Sequence, residues 1–497
     1  MAHCLHVADT DWNLLCCTSP VESSLIFLTT GVCRLSEATS HEDLIISVSG
    51  VRGIVGSALD PSQLTRFASA FGTLIGGQPV IVGRDTRTSG PMAHHAILAG
   101  LIATGCKVID VGVCPTPTVL LMSKALNAGG SLVITASHNP IDWNGIEFAS
   151  ESGRLLSKSE RTRLMEIYES GDFGLATWDK QGSVELADTA VDQHLAGVLS
   201  CDWVAQDQTR AHGLKVVVDC GNGAGSVISP RLLRTLGCEV VELNCVPDGH
   251  FPRPAEPTPD ALDQLCDTVK SESADLGFAH DGDADRLVLV SEQGTPLSSE
   301  YTFALAAEFL LNKRKGNIVA TVSTSRMLDD VANRHGVKLY RTPVGVGYVV
   351  EKMQEVGAVI GGEGTGGVIY PELQYTTDGI ASIAAIIQFL AESSPLTVSE
   401  VVASIPSYAI CKEKLEVPSQ QTADVVLQLA IENYTDETLD LADGVKRVWE
   451  DRWVNIRKSG TEPVIRVFSE AQTLEDAQEL CNSTLDTLKS LMRRVSN

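Results

Sequence analysis

From Leu44 onward the chain alternates between apolar runs of strand length and stretches with helical spacing. PVIVG (79–83), CKVIDVG (106–112), SLVIT (131–135), LKVVVDC (214–220), CEVVEL (238–243), NIVATVS (317–323) and GAVIGG (357–362) are the strand candidates. Unbroken Val/Ile runs mark strands buried on both faces. Between them, 62–75, 91–104, 229–236, 260–271 and 300–313 read as helices. Such alternation predicts βαβ units on parallel or mixed sheets, an α/β fold. The pattern recurs about three times, each pass near 100 residues. The last ninety residues differ. Two strands, a loop at 457–463, the strand VIRVFSE and a long helix from Thr473 predict a smaller α+β domain.

A chain of 497 residues is too long for one core. The expected domains are 44–199, 200–300, 301–405 and 406–497, behind an extension 1–43 without clean periodicity. No low-complexity linker separates them, so packed domains are expected. No apolar run approaches the ~20 residues of a membrane helix. The first twenty residues hold Asp9 and Asp11 but no Lys or Arg, which argues against a secretory signal.

The net charge of −25 disfavours nucleic acid and anionic membrane as partners. An anionic ligand would then need a local positive island. The 13 Cys are odd in number and contain no CxxC pair, which reads as buried thiols in a reducing compartment, the cytoplasm. Cys4, Cys16, Cys17 and Cys33 read as part of a loose leader ahead of a zinc site.

Four loops carry chemistry. DGDADR (281–286) sits between two apolar runs. Residues two apart on extended chain point the same way, about 6–7 Å apart, so Asp281, Asp283 and Asp285 converge with a slight curl. Three such carboxylates repel without a cation, and an all-carboxylate set suits Mg²⁺. An EF-hand would use Glu292 as its twelfth position, but Arg286 stands where that loop needs Gly. RKSGTEP (457–463) places Arg457, two hydroxyls and Gly460 within one turn, with Lys458 and Arg466 able to add charge. This suits a phosphate cradle or an ordinary Ser-Gly turn. GGEGTGG (361–367) offers Glu363 among glycines, as a sugar-hydroxyl acceptor or a flexible turn. TASHNP (135–140) ends a buried strand with Ser137, and His138 and Asn139 can hydrogen-bond around it. No G-x-S-x-G elbow exists in the chain, so Ser137 is read as a phosphoryl carrier, not a hydrolase nucleophile. GNGAG (221–225) lacks dinucleotide spacing, and His94–His95 read as surface or packing residues.

In this order the four loops resemble the α-D-phosphohexomutase superfamily, closest to phosphoglucosamine mutases and phosphomannomutase/phosphoglucomutases. SGVRGIVG (49–56) and GRDTRTSG (83–90) match further signatures, and the resemblance spans about 44–475. It implies three similar α/β domains with mixed sheets and a C-terminal α+β domain, set heart-shaped around one cleft. It implies interconversion of hexose 6- and 1-phosphates through phosphorylated Ser137 and a hexose 1,6-bisphosphate. Asp281, Asp283, Asp285 and a phosphoserine oxygen of Ser137 would hold Mg²⁺. Ser137, Arg52, His138 and Arg286 would be catalytic. Glu363 and Thr365 would meet the sugar, and Arg457, Ser459, Gly460, Thr461 and Arg466 the phosphate that stays. The loop wording puts glucosamine phosphate first, with glucose or mannose phosphate as the alternative, and a monomer or homodimer is expected. Three positions depart from the pattern: Glu147 where Lys is usual, Gly347 where Lys or Arg is frequent, and Gly367 where His is frequent. These leave open a weakly active sugar-phosphate-binding paralogue, or a phosphatase.

Overall fold

The computed structural model describes residues 44–47, 50–434, 439–459 and 463–495. The extension 1–43, with its four cysteines, and the predicted site residues Gly460 and Thr461 lie outside the described residues.

The first sheet has seven strands in the order Ile45–Ser47, Gly50–Ile54, Trp143–Ser150, Gly130–Ile134, Val80–Arg84, Lys107–Val113 and Ser183–Leu186. The last four run parallel, and Trp143–Ser150 returns antiparallel beside Gly130–Ile134. The second sheet runs Leu287–Ser291, Leu276–His280, Lys215–Asp219, Glu239–Leu243, and the third Leu339–Thr342, Ile318–Thr321, Ile360–Glu363, Gly367–Ile369. Each repeats one motif. Three parallel strands are followed by a hairpin to an antiparallel fourth. This is the threefold recurrence of the sequence.

The topology explains why the loops are odd. The serine loop, the metal loop and the sugar loop each lie at the tip of that same third-to-fourth-strand hairpin. The fourth sheet is antiparallel, in the order Ala409–Glu416, Val464–Ala471, Trp453–Lys458, Val445–Val448, Leu439–Asp440. Its phosphate loop joins the hairpin Trp453–Lys458/Val464–Ala471. The serine and metal hairpin tips meet directly, and the described residues from Leu44 onward belong to one compact unit.

The predicted helices appear within a few residues of their expected limits, as Pro61–Leu74, Gly90–Ala103, Ser229–Thr235, Asp263–Glu272 and Glu300–Lys313. The C-terminal reading needs correction. A helix Gln420–Asn433, capped by the Ser419 hydroxyl, lies between the first two strands there. Only Ala423, Val426 and Ala430 of it are buried, too narrow an apolar stripe to stand out.

The second and third domains share a core. Leu232, Leu233 and Phe278 pack in one cluster with Phe303, Ile383 and Ile387. The first and fourth domains have cores of their own, around Phe67, Phe71 and Phe148, and around Val454, Ile465 and Leu488. No helix among the described residues is long and apolar enough to cross a membrane.

Candidate active site

Ser137 is 3% exposed and sits in the left-handed region, φ 46°. A non-glycine residue there needs surroundings that over-determine it. They are supplied from the neighbouring loop GRDTR. The Arg87 side chain is fully buried, and all five of its N–H groups are used. Nε donates to Asp85 Oδ2 (3.1 Å); the terminal nitrogens donate to the carbonyls of Pro140 and Trp143 (2.5 and 3.0 Å) and of Ser137 and Asn139 (2.8 and 2.7 Å). Thr135 Oγ1 donates to the same Asp85 oxygen and accepts from Ser137 N–H. One guanidinium therefore knots the serine loop. Sequence reading met GRDTR only as a signature and assigned Asp85, Arg87 and Thr135 no role.

Ser137 Oγ donates to Asp281 Oδ2 at 3.1 Å and lies 3.2 Å from His138 Nδ1. That first contact joins the serine loop to the metal loop. Close approach is allowed by Gly282, where a Cβ would stand 2.8 Å from the Ser137 carbonyl oxygen. Carboxylate oxygens of Asp281, Asp283 and Asp285 all lie within 4.8 Å of one another. Thr116 Oγ1 donates to Asp283 Oδ2 (2.7 Å) and Thr377 Oγ1 to Asp285 Oδ2 (2.8 Å), while the buried Oδ1 of each accepts no hydrogen bond from the protein. Burial and mutual repulsion raise the Asp281 carboxyl well above the carboxylate range and Asp285 to about 6. Clustered, unsatisfied carboxylate oxygens fit a divalent cation. Glu292 lies elsewhere, accepting from the Ser399 backbone N–H and hydroxyl, so no EF-hand exists here. GNGAG serves as a brace: Ala224 N–H donates to the Gly282 carbonyl.

Above the aspartates lies the positive island that an acidic protein needs for anions. The His138 imidazole is held down to about 2, first by Arg286, then by burial, Arg52, Arg87 and Arg466. The positive charges of four arginines thus bear on the residue beside Ser137. Arg286 Nε lies 3.8 Å from both Asp281 and Asp285. Burial opposes its charge, but these aspartates outweigh burial and raise it above the ordinary arginine value.

Glu363 accepts from Gly345 N–H (3.0 Å), and burial raises its carboxyl. Thr365 Oγ1 is buried without a protein partner. In the fourth domain, Asp443 Oδ2 accepts from Val344 N–H (3.0 Å) and from Arg457 (3.3 Å), tying the phosphate loop to the third domain. Arg466 donates to Ser459 Oγ (3.4 Å), and Arg457 Nε stays unpartnered and buried. Lys458 does not add charge to the cradle. It alternates to the opposite face of its strand and pairs with Asp424. Buried polar atoms without a hydrogen-bond partner at Asp283, Asp285, Thr365 and Arg457 suit a polar ligand and a cation.

Family comparison agrees with this geometry. Domain models described as phosphoglucomutase/phosphomannomutase alpha/beta/alpha domains I, II and III and the C-terminal domain match residues 44–175, 192–294, 298–408 and 412–487. The chain belongs to the phosphoglucomutase/phosphomannomutase family. A phosphoglucomutase/phosphomannomutase of Thermococcus kodakarensis is 40% identical over 451 residues, 89% of this chain and 98% of its own. A probable phosphoglucosamine mutase of Methanopyrus kandleri is 39% identical over 455 residues, 90% of this chain and 98% of its own. A solved phosphoglucomutase/phosphomannomutase family protein of Burkholderia thailandensis superposes with TM-score 0.78 at 28% identity, over 90% of this chain and 98% of the other. The chain is thus a phosphohexomutase of four domains.

The three departures from the family pattern have different structural meanings. Glu147 is buried and paired, its Oε1 accepting from Arg52 at 2.8 Å while Arg52 also donates to Asn139 Oδ1 at 3.1 Å. Burial pushes the Glu147 carboxyl up to about 7, with Arg52 opposing and Asp283 and Asp285 adding. It therefore holds Arg52 against the serine loop. At Gly367 a Cβ would meet Thr377 Cγ2 at 2.7 Å, so a larger residue would displace the group that holds Asp285. At Gly347 a Cβ meets nothing within 4 Å, so only this departure leaves open space.

Proposed function

We propose that this phosphohexomutase acts on glucosamine phosphate, converting the 6-phosphate to the 1-phosphate through phosphorylated Ser137. The observation that carries the mechanism is the Ser137 Oγ–Asp281 contact at 3.1 Å, made where the serine and metal loops meet beside Arg286. The substrate is supported by the name of the Methanopyrus relative and the wording of the phosphate loop.

Asp281, Asp283 and Asp285 would hold Mg²⁺ together with an oxygen of the phosphoserine. Bound there, the ion supplies neutralisation of phosphoryl charge. The chain's own groups do the rest. Arg457, Ser459 and Arg466 hold the phosphate that stays, with Gly460 and Thr461 assigned to the same cradle by their place in SGTEP. Glu363 and Thr365 orient the sugar. The P–Oγ bond of phosphoserine breaks as a bond forms from phosphorus to the free sugar hydroxyl. The hydroxyl proton ends on Ser137 Oγ, relayed by His138, whose neutral ring lies 3.2 Å from that oxygen. Arg52 and Arg286 stabilise the charge on the passing group, while Arg87 keeps the serine loop in shape. The hexose 1,6-bisphosphate then turns over in the cleft and returns its other phosphoryl group to Ser137. We propose further that the domain limits lie near residues 200, 300 and 406, that the enzyme works in the cytoplasm, and that it is a monomer or homodimer.

Phosphorus NMR tests the reading. Purified protein receives Mg²⁺, a trace of hexose 1,6-bisphosphate, and glucosamine, glucose or mannose 6-phosphate in turn. Glucosamine 1-phosphate is expected, and Ser137→Ala should abolish it. Turnover of glucose or mannose phosphate alone would reassign the substrate. Free phosphate alone would make the protein a phosphatase, and binding without turnover a sensor.

A further inference from the structure

We propose that His194, far outside the four loops in sequence, is a positioning residue for the metal loop. The inference rests on the assignment of Asp281, Asp283 and Asp285 as metal ligands. The His194 side chain is fully buried. Its Nδ1 lies 2.8 Å from Thr118 Oγ1 and its Nε2 lies 2.9 Å from Asp378 Oδ2. Both partners are themselves fully buried.

Each partner is one short step from a metal-loop carboxylate. Thr118 lies on the helix Thr116–Ala125, whose first residue binds Asp283 twice: Thr116 Oγ1 to Oδ2 at 2.7 Å, and Thr116 N–H to the Asp283 carbonyl at 3.1 Å. Asp378 caps the helix Gly379–Ser393, its Oδ1 accepting from the N–H groups of Ile380 and Ala381 at 3.0 and 2.9 Å. The preceding Thr377 donates to Asp285 at 2.8 Å. The following Gly379 packs so close to the loop that a Cβ there would stand 2.7 Å from the carbonyl oxygens of both Ala284 and Arg286. Gln374 closes the figure, with Nε2 donating to Asp378 Oδ2 (2.9 Å) and to the Pro117 carbonyl (3.1 Å).

The result is a ring: Asp283, Thr116, Thr118, His194, Asp378, Thr377, Asp285. It spans the first, second and third domains, and His194 is the bridge between the halves that grip Asp283 and Asp285. Two carboxylates that repel each other are held at a fixed separation from outside, before any cation arrives. Outer groups that orient ligands tune metal affinity by about 10–100-fold. His194 acts one bond further out, so the lower end applies.

Titration calorimetry of the full chain with Mg²⁺ alone tests this, beside circular dichroism and thermal melting. His194→Asn keeps an amide near Nδ1 but loses the bond to Asp378. It is expected to weaken Mg²⁺ binding about tenfold. His194→Gln places its amide near Nε2, keeps that bond, and is expected to recover most of the affinity. In turnover, the Asn variant should need about tenfold more Mg²⁺ for half-maximal rate, with kcat at saturating Mg²⁺ and KM for sugar phosphate little changed. Thr118→Val, nearly isosteric, is the second variant if His194→Asn fails to fold, and its Mg²⁺ affinity should fall in the same direction. Variants that melt earlier yet bind Mg²⁺ as wild type does would show a purely structural role and overturn the proposal. Wild-type protein that binds no Mg²⁺ would instead overturn the metal assignment itself, and the proposal with it.

Discussion

Replacing Glu147 by Lys would restore the residue type usual in the family, and the structure predicts that it damages the enzyme. The Glu147–Arg52 contact is 2.8 Å long, with side-chain exposures of 8% and 14%. Removing one partner of a buried ion pair costs about 3–5 kcal/mol, mostly because the other charge is left uncompensated. The Lys ammonium would go further and oppose Arg52 directly at 2.8 Å range, an opposition that the more distant Asp283 and Asp285 offset only in part. Arg52 would leave Asn139, to which it donates at 3.1 Å, and the serine loop would lose that tie. If about 3 kcal/mol of this falls on the transition state, kcat/KM drops by about two orders of magnitude. Glu147→Gln keeps an acceptor for Arg52 and exchanges a charged hydrogen bond for a neutral one, a loss of about 1 kcal/mol, or about fivefold. Initial rates by coupled assay, read beside melting temperatures, give the numbers. An active Glu147→Lys enzyme, equal to wild type or faster, would refute the argument and mark Glu147 as a defect of the site.

Arg87→Lys offers three donors where five are used, so at least two of the five acceptors, Asp85 and the four serine-loop carbonyls, lose their partner; at about 1–3 kcal/mol for each hydrogen bond to a charged group, calorimetry should show a clear fall in melting temperature, and mass spectrometry little phosphorylation at Ser137. Gly347→Ala, at the second position of the helix Val346–Val356 with open space around its Cβ, should stabilise the protein by about 0.5–1 kcal/mol in chemical denaturation. Gly347→Arg should fold as well as wild type and lower KM for sugar phosphates. Burial, and then Arg341, push the Lys446 ammonium down to about 7, below the ~10.4 of an unfolded chain. Between those values the unfolded chain binds the proton more strongly, so stability is present above the upper value and is lost as pH falls toward 7. Lys446→Met should therefore flatten the stability–pH curve of the wild type from about pH 7.5 to 9.5, a window chosen inside those limits.

The chemistry was legible in the sequence where a loop concentrates improbable residues between apolar runs. DGDADR and TASHNP could be read because burial on both flanks forces their polar groups toward a ligand. The folding motif was legible as recurrence, since Val/Ile runs record strands covered on both faces. What escaped were single residues whose meaning exists only across domains. Arg87 is an unremarkable arginine in sequence and the knot of the serine loop in space. Asp443 and Thr377 lie on connections and Thr116 opens a helix, places that carry no local signal, yet they hold Arg457, Asp285 and Asp283. Lys458 failed for a related reason: strand alternation decides which of two adjacent cations faces the cleft, and the loop motif ignores it. Glu147 shows how a departure should be judged. Against a family pattern it is a lost cation. Beside Arg52 it is half of a buried pair, and a mutase that has Glu147 has redistributed the charge of its site around the arginine that this carboxylate fixes in place.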